Sequence, residues 1–268
     1  MPRLVRLAVA LAALPLAAAP AHAAAPPLPN SMAALGDSIT RAYDACCSYG
    51  EHPERSWATG DLAGDFVTSH YERLAAANPA LVGHAYNDAV TGAESADLLA
   101  QAQQAVGQGV DYVTVMIGSN DACAPTRAQM TRVATFRANV EAAFAALDAG
   151  LPNAHVFVAS VPDLRHLWQI EHRNAGAQFI WAVAGVCQSV LSPRNTTRDR
   201  AAVDARVRAY NRVLQAVCAV RPSCRYDGGL TYRYRFQPSE VSSLDFFHPS
   251  ELGQQSIANG TFPLSWWP

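Results

Sequence analysis

The sequence contains no lysine, and all 20 of its basic residues are arginine. They stand against 22 acidic residues, charged residues make up only 16% of the chain, and no block of basic residues stands out. Nucleic-acid-binding proteins usually carry a clustered basic surface, so the sequence predicts no nucleic-acid partner. Half of the residues are hydrophobic, which excludes a disordered, collagen-like or coiled-coil chain.

Apolar runs long enough to span a membrane, about 18 residues, are absent after the first 23 residues. Residues 1–23 have the order of a secretory signal: Arg3 and Arg6 precede an apolar run, and Ala21-His22-Ala23 follows it. We expect cleavage near Ala23 and secretion of the mature protein. The alternative is a membrane anchor, but two prolines interrupt the apolar run. Residues 24–30 predict a stiff proline-rich linker, and residues 31–268 a single domain.

The Cys-x-x-Cys spacing of a zinc site is also absent, so we expect no metal. An even set of six cysteines in an exported chain favours disulfides instead. Cys218 and Cys224 flank a short loop and are expected to pair, which leaves Cys123 with Cys187 by elimination. The adjacent Cys46 and Cys47 stay unassigned. Because a disulfide between neighbouring residues is strained, we expect at least one of these two to be free.

Hydrophobic patterning alternates between strands and helices along the chain. The predicted strands are residues 31–35, 81–86, 110–117 and 154–161. The predicted helices are residues 66–77, 93–106, 127–149, 199–220 and 251–258. This alternation predicts an α/β fold with a parallel sheet covered on both faces. Residues 164–195 fit neither pattern and are expected to be the least regular part of the chain.

Clusters of polar residues follow the first three predicted strands. These clusters are Gly36-Asp37-Ser38, Thr91-Gly92 and Gly118-Ser119-Asn120-Asp121. The carboxyl ends of parallel strands meet at one edge of a sheet, where open α/β sheets bind their ligands. The sequence therefore predicts a site at this edge.

Ser38 directly follows a strand, in a turn that can expose its hydroxyl. Serine is a weak nucleophile until a base takes its proton, so a nucleophilic role for Ser38 requires a histidine oriented by a carboxylate. Asp245 and His248 lie three residues apart and can face the same side. The sequence predicts Ser38 as the nucleophile, His248 as the base and Asp245 as the orienting group. The alternative role for Ser38 is a helix N-cap.

Acyl transfer builds negative charge on a carbonyl oxygen, which fixed hydrogen-bond donors must stabilise. The candidate donors are the backbone N–H groups of Ser38 and Gly92 and the side-chain amide of Asn120. Gly92 as a helix-start glycine and Asn120 as a loop cap are the structural alternatives. Asp37 and Asp121 are expected to hold their turns by bonding local N–H groups.

In this order, the blocks around Ser38, Gly92, Asn120 and His248 resemble those of the SGNH, or GDSL-type, hydrolase family. Residues 55–60 and 247–250 are most similar to the secreted actinobacterial lipases and esterases of that family. The resemblance implies a three-layer αβα sandwich with a central parallel sheet of the flavodoxin-like type. It also implies a serine acyl-enzyme mechanism without metal or cofactor. The α/β-hydrolase fold is disfavoured because the sequence contains no Gly-x-Ser-x-Gly.

The predicted function is a secreted serine esterase or lipase acting on acyl esters. A phospholipase, a carbohydrate O-deacetylase and a non-catalytic binding protein on the same scaffold are the alternatives. We expect a monomer whose partner is an ester or lipid substrate, with transient contact to a lipid surface. Residues 164–195 are expected to overhang the site and to set the preferred acyl-chain length.

Overall fold

The structure is a computed structural model that describes Met1 and residues 25–267. Apart from Met1, the predicted signal and its cleavage point lie outside the described residues. Residues 25–30 have no regular secondary structure, and they pack on the rest of the chain. The Trp267 Nε1–H group donates to the carbonyl oxygens of Pro26 and Pro27 at 3.0 and 3.2 Å. The start and the end of the described chain are therefore held together.

Five parallel strands form the central sheet, in the order β2-β1-β3-β4-β5. They are β1 (Met32–Gly36), β2 (Ala85–Asn87), β3 (Tyr112–Met116), β4 (His155–Val158) and β5 (Cys224–Tyr226). Every residue of β1 and β3 is buried, which explains why these segments read as continuous apolar runs. The strand order is that of the flavodoxin-like fold, and the predicted α/β class is confirmed.

The described residues form ten α-helices around this sheet. They are α1 (His70–Ala77), α2 (Leu98–Gln108), α3 (Ser119–Ala122), α4 (Val133–Gly150), α5 (Leu164–Glu171), α6 (Ala175–Val183), α7 (Gln188–Leu191), α8 (Thr197–Ala219), α9 (Leu230–Arg233) and α10 (Glu251–Thr261). None of the helices in the described part of the chain is long and apolar enough to cross a membrane.

Hydrophobic cores lie on both faces of the sheet because successive strand residues point to opposite sides. Ala33 and Leu35 of β1 point into the larger core, which they share with α2, α4 and α8. Met32 and Ala34 point into the second core, where α1 and α10 pack. The result is a three-layer αβα sandwich, as predicted.

Residues 164–195 are more regular than predicted, since they contain the helices α5, α6 and α7. Polar side chains start two of these helices. Asp163 accepts a hydrogen bond from the His166 N–H group at the start of α5, and Asn174 accepts one from the Gly176 N–H group at the start of α6. Such caps satisfy N–H groups that have no partner inside the helix, so they compensate for the weak hydrophobic pattern.

Several predicted boundaries differ from the structure, and one strand was missed. The helices predicted to begin at residues 66, 93 and 127 begin at His70, Leu98 and Val133. The strand predicted at residues 81–86 begins only at Ala85, because Pro79 opens a short 3-10 helix that ends at Leu81. The strand β5 was not predicted. It has only three residues, Cys224–Tyr226, and none of them is fully buried.

Three disulfides are present in the structure. Cys123 bonds to Cys187 and Cys218 bonds to Cys224, which are the two pairs expected from the sequence. The third joins Cys46 to Cys47, so the expectation that at least one of these two is free is wrong.

A closed loop explains the pairing of these neighbouring cysteines. The Asp44 N–H group donates to the Gly50 carbonyl oxygen at 2.7 Å, and the Gly50 N–H group donates to Asp44 Oδ1 at 2.7 Å. Between these ends Cys47 has a φ of 56°. This left-handed conformation turns the chain tightly enough to place both sulfur atoms on the same side.

Candidate active site

Ser38 lies in the turn directly after β1, at the carboxyl edge of the sheet. Gly36 ends the strand with a φ of 153°, and a Cβ atom there would lie 2.4 Å from the Met116 carbonyl oxygen and 2.7 Å from Thr40 Oγ1. Only glycine therefore fits. The Thr40 N–H group donates to the Asp37 carbonyl oxygen at 3.1 Å, which closes the turn around Ser38.

Gln101 of α2 fixes the same turn from the side, and the sequence did not point to it. The Gly36 N–H group donates to Gln101 Oε1 at 2.8 Å, and Gln101 Nε2 donates to the Gly36 carbonyl oxygen at 2.9 Å. Both groups are buried. The side chain of Gln101 thus takes the place of a neighbouring strand at the point where β1 ends.

Asp37 is fully buried beside Ser38. Its Oδ1 atom accepts a hydrogen bond from the Ile39 N–H group at 2.9 Å. Burial raises the pKa of Asp37 to about 6, although the Ile39 bond and the nearby His248 act in the opposite direction. These contacts place Asp37 in the turn itself, which agrees with the structural role expected for it.

Asp245 and His248 meet Ser38 at this edge, as the sequence predicted. His248 Nε2 lies 2.8 Å from Ser38 Oγ, and His248 Nδ1 is hydrogen-bonded to Asp245 Oδ2. Asp245 Oδ1 accepts hydrogen bonds from the N–H groups of Phe247 at 2.9 Å and His248 at 3.1 Å. Phe246, with a φ of 56°, bends the chain between the two side chains.

The surroundings of Asp245 favour its ionised form. Burial raises the pKa of this carboxyl, but the hydrogen bond and charge of His248 and the two backbone N–H groups outweigh burial. The pKa of Asp245 therefore lies below its usual value. An ionised Asp245 holds the Nδ1–H tautomer of His248, which leaves Nε2 free to accept the proton of Ser38 Oγ.

Asp44 is a second buried carboxyl beside this pair, and the sequence gave no sign of it. Asp44, Asp245 and His248 each place one potential metal-ligand atom, a carboxylate oxygen or a ring nitrogen, within 4.8 Å of the other two. Burial raises the pKa of Asp44, and the charge of Asp245 raises it further, against the hydrogen bond from Gly50. The same three atoms could hold a cation. However, both ring nitrogens of His248 are already hydrogen-bonded, to Asp245 and to Ser38, so a cation there would compete with one of these bonds.

The three predicted oxyanion donors face the same space. The backbone N–H groups of Ser38 and Gly92 donate to no backbone oxygen within residues 25–267. Asn120 Nδ2 donates one of its two hydrogens to the Ala93 carbonyl oxygen at 2.9 Å, which leaves the second one available. The arrangement can therefore offer three donors to one oxygen atom.

Asp121 connects the elements that carry Gly92 and Asn120. Its carboxylate accepts hydrogen bonds from the Ser95 hydroxyl at 2.6 Å and the Ser95 N–H group at 2.8 Å. Burial raises the pKa of Asp121, while the bonds from Ser95 act against the rise. Asp121 thus ties α3 to the loop after Gly92, which agrees with the holding role expected from the sequence.

All five predicted site residues line one open pocket of about 430 Å³, called here the Ser38 pocket. Aromatic, aliphatic and disulfide-bonded side chains complete its wall. The lining residues are Ser38, Tyr43, Asp44, Tyr49, Thr91, Gly92, Asn120, Cys123, Ile180, Ala184, Val186, Cys187, Asp245, Phe247 and His248.

A serine beside a histidine–aspartate pair, with free N–H donors at the edge of a parallel sheet, has the geometry of a serine hydrolase. The sequence profile of the GDSL-like lipase/acylhydrolase family matches residues 32–261. The chain belongs to this family.

Individual relatives are more distant. A membrane-associated phospholipase B1 from Rattus norvegicus is 28% identical over 210 residues, which are 66% of this chain and 14% of the length of that protein. An extracellular lipase from Streptomyces rimosus is 19% identical with a TM-score of 0.52, over 88% of this chain and 99% of that one. A catalytic mutant of an acetylxylan esterase from Geobacillus stearothermophilus is 17% identical with a TM-score of 0.54, over 89% and 96%. At these identities, the two structures show a shared fold.

Proposed function

We propose that this chain is a secreted serine esterase or lipase that hydrolyses acyl esters through an acyl-enzyme intermediate. One observation carries the proposal. Ser38 Oγ lies 2.8 Å from His248 Nε2, and the other ring nitrogen of His248 is bonded to Asp245. Three disulfides and the signal-like order of the first residues support secretion.

In the first half of the reaction, Ser38 Oγ attacks the carbonyl carbon of the ester while its proton moves to His248 Nε2. A carbon–oxygen bond forms, and the carbonyl electron pair moves onto the oxygen atom. When the tetrahedral intermediate collapses, the bond to the leaving alkoxide breaks and His248 returns the proton to it. The products are a free alcohol and an acyl group esterified to Ser38.

In the second half, water replaces the alcohol. His248 takes a proton from the water molecule as its oxygen attacks the acyl carbon. The second tetrahedral intermediate then releases Ser38, which recovers its proton from His248. In both halves Asp245 stays ionised and orients the imidazole ring.

The negative charge of both intermediates falls on an oxygen atom next to the N–H groups of Ser38 and Gly92 and the amide of Asn120. Donors that are fixed before the reaction stabilise this charge without reorganising. Loss of one such donor typically costs about a hundredfold to a thousandfold in kcat. In this chain Asp121 and Ser95 hold the donors in place.

Hydrolysis of a p-nitrophenyl ester series from acetate to palmitate tests the proposal. The intact protein should turn over at least part of the series, and Ser38→Ala should lose activity by about a thousandfold or more at unchanged thermal stability. Thr40→Val replaces a buried hydroxyl by a methyl group in the same turn and leaves Ser38 in place, so it serves as the control. Equal turnover by the protein and by Ser38→Ala would overturn the role of Ser38.

The length preference in the same series separates an esterase from a lipase. No turnover of any ester would favour the remaining alternatives, a carbohydrate deacetylase or a non-catalytic binding protein. A phospholipase would instead release fatty acid from phospholipid vesicles. The resemblance to a phospholipase B1 sequence is the observation that keeps this second candidate.

A further inference from the structure

The helix α6 belongs to a segment that carries no charge. Residues 174–193 contain no Asp, Glu, Arg or His, although much of this stretch is exposed. Arg173 and Arg194 border the segment on its two sides, and both are exposed. Contiguous exposed apolar surface on a folded protein commonly marks an interaction site.

The two faces of α6 differ in burial. Ala177 and Trp181 point inward and are buried. Phe179 and Val183 lie one turn apart on the outer side, and they are 65% and 71% exposed. These two side chains, together with the exposed Ala182 between them, are called here the outer face of α6.

The outer face of α6 borders the Ser38 pocket. Ile180 follows Phe179 along the chain and Ala184 follows Val183, and both Ile180 and Ala184 line the pocket. One side of the helix segment therefore forms the pocket wall, and the adjoining side forms an apolar surface at the mouth. A substrate held in that surface would lie next to Ser38.

The position of α6 is fixed by the chain segment that carries Asp245 and His248. Trp181 Nε1 donates to the Phe246 carbonyl oxygen at 3.1 Å, and Gln188 Nε2 donates to the Trp181 carbonyl oxygen at 2.8 Å. Gly176 packs so closely on the Phe246 ring that an added Cβ atom would lie 3.2 Å from it. The outer face is thus a fixed platform beside the pocket.

The flanking arginines add a charge preference. Neither Arg173 nor Arg194 forms an ion pair with any residue in the described part of the chain. Their guanidinium groups are therefore free to bind phosphate oxygens. Arg173 precedes α6, and Arg194 follows α7 at the other end of the uncharged segment. Exposed apolar side chains on a helix, combined with nearby basic residues, are the features that hold helices in the surface of a lipid bilayer.

We propose that the outer face of α6 docks the protein on a phospholipid surface that contains anionic headgroups. Phe179 and Val183 enter the acyl boundary, and Arg173 and Arg194 contact headgroup phosphates. The Ser38 pocket then opens toward the lipid. The benefit for catalysis rests on the function proposed above, whereas the docking itself does not require Ser38.

Vesicle co-sedimentation of the intact protein tests this proposal. The vesicles contain phosphatidylcholine alone or phosphatidylcholine with phosphatidylglycerol. The affinity of the double variant Phe179→Ser/Val183→Ser for both kinds of vesicle should fall by about tenfold or more. The double variant Arg173→Gln/Arg194→Gln should lose only the preference for phosphatidylglycerol.

Val220→Ser is the matched control. Val220 is also a largely exposed valine, at 76%, but it lies between α8 and β5, at the edge of the sheet opposite the Ser38 pocket. This variant should bind vesicles as the unchanged protein does. Equal weakening by Val220→Ser would overturn the proposal, and so would vesicle binding that is unchanged in Phe179→Ser/Val183→Ser.

Two readouts separate docking from function. Hydrolysis of soluble p-nitrophenyl acetate should be the same for the unchanged protein and the Phe179→Ser/Val183→Ser variant, because neither side chain lines the pocket. An active protein that binds no vesicles would overturn docking and leave the proposed function intact. Vesicle binding without any Ser38-dependent hydrolysis would overturn the proposed function and leave the docking proposal intact.

Size-exclusion chromatography tests the alternative that a second copy of the chain, and not a lipid surface, binds the outer face of α6. A dimer that dissociates in the Phe179→Ser/Val183→Ser variant would assign the outer face to self-association and overturn lipid docking. An identical elution volume for both proteins, together with weaker vesicle binding by the variant, supports the proposal.

Discussion

Gln101 binds both backbone groups of Gly36, two residues before Ser38. The Gly36 N–H group reaches Gln101 Oε1 at 2.8 Å, and Gln101 Nε2 reaches the Gly36 carbonyl oxygen at 2.9 Å. One buried amide side chain on α2 thereby connects the helix to the end of β1. The position of Ser38 relative to His248 depends on this connection.

Replacing Gln101 with leucine should therefore impair both stability and activity. Gln101→Leu leaves the buried Gly36 N–H group without a partner, which costs about 1–3 kcal/mol of unfolding free energy, whereas the Gly36 carbonyl oxygen keeps its hydrogen bond from the Val90 N–H group at 3.2 Å. A shifted Ser38 turn should also lower kcat by about tenfold to a hundredfold, with little change in KM. Urea denaturation and steady-state kinetics on a p-nitrophenyl ester measure the two effects.

Gln104→Leu provides the control for this prediction. Gln104 lies on the same helix, and its amide bonds to Asp88 at 2.8 Å, outside the Ser38 turn. This variant should change the unfolding free energy without the decrease in kcat. If Gln101→Leu lowers stability but leaves kcat at the level of Gln104→Leu, then Gln101 does not position the serine.

Loss of the Asn120 amide should affect the transition state more than substrate binding. Asn120→Ala should lower kcat by about a hundredfold to a thousandfold at nearly constant KM, because the amide contacts the oxygen only when it becomes charged. Asn139→Ala is the comparison, since Asn139 bonds to the nearby Ser95 hydroxyl at 3.1 Å but does not line the pocket. Equal kcat values for the two variants would remove Asn120 from the oxyanion site.

The wall formed by residues 180–186 should determine which acyl chains fit. Ala184→Leu adds bulk to the Ser38 pocket, so long-chain esters should lose kcat/KM relative to acetate. The expected loss is about fourfold for each methylene group that the new side chain displaces. Ala142→Leu makes the same change at an exposed position of α4 that lines neither the pocket nor the outer face of α6. A chain-length profile that is identical in both variants would contradict this role of the wall.

The buried histidine of α1 should make the protein sensitive to acid. His70 is fully buried between the Tyr112 hydroxyl at 3.0 Å and the Thr261 hydroxyl at 2.8 Å. Burial, assisted by the charge of Arg73, lowers its pKa to about 3. Below pH 6.5 His70 is protonated in the unfolded chain but remains neutral in the folded one. Stability is therefore lost as the pH falls, by about 1.4 kcal/mol per pH unit until about pH 3.

Asp37 opposes this effect over part of the range. Its pKa is raised to about 6 in the folded chain, so the folded state takes up a proton first and gains stability as the pH falls from about 6 to about 4. Comparison with His70→Gln isolates the histidine. Between pH 7 and pH 5 the unfolding free energy should fall by about 2 kcal/mol more in the unchanged protein than in His70→Gln. Parallel pH curves from urea denaturation would contradict the burial of a neutral His70.

The sequence carries part of the fold and the site, and packing decides the rest. The strands β1 and β3 can be predicted because each is an apolar run ended by a glycine. Ser38, Gly92, Asn120 and His248 can be predicted from their order along the chain. Gln101 cannot, because its bond to Gly36 joins residues 65 positions apart and involves backbone atoms.

The sequence pattern also did not predict the closed loop between Asp44 and Gly50. The carboxyl reaches the His248 region only because the chain turns back at Gly50, with Asp44 itself at a φ of 55°. The same closure pairs Cys46 with Cys47, against expectation. Likewise, the helices of residues 164–195 depend on single capping side chains such as Asn174, which a hydrophobic pattern does not register.

The contact of Trp267 with Pro26 and Pro27 also fixes where residues 25 and 267 lie on the molecule. The Trp267 ring packs on Tyr112 at 5.1 Å and on His155 at 5.7 Å, and these residues begin β3 and β4. Residues 25 and 267 thus lie at the edge of the sheet opposite the Ser38 pocket. A solid support coupled through the exposed residue 25 would hold the protein with its pocket facing the solution, accessible to substrates too large to diffuse beneath it.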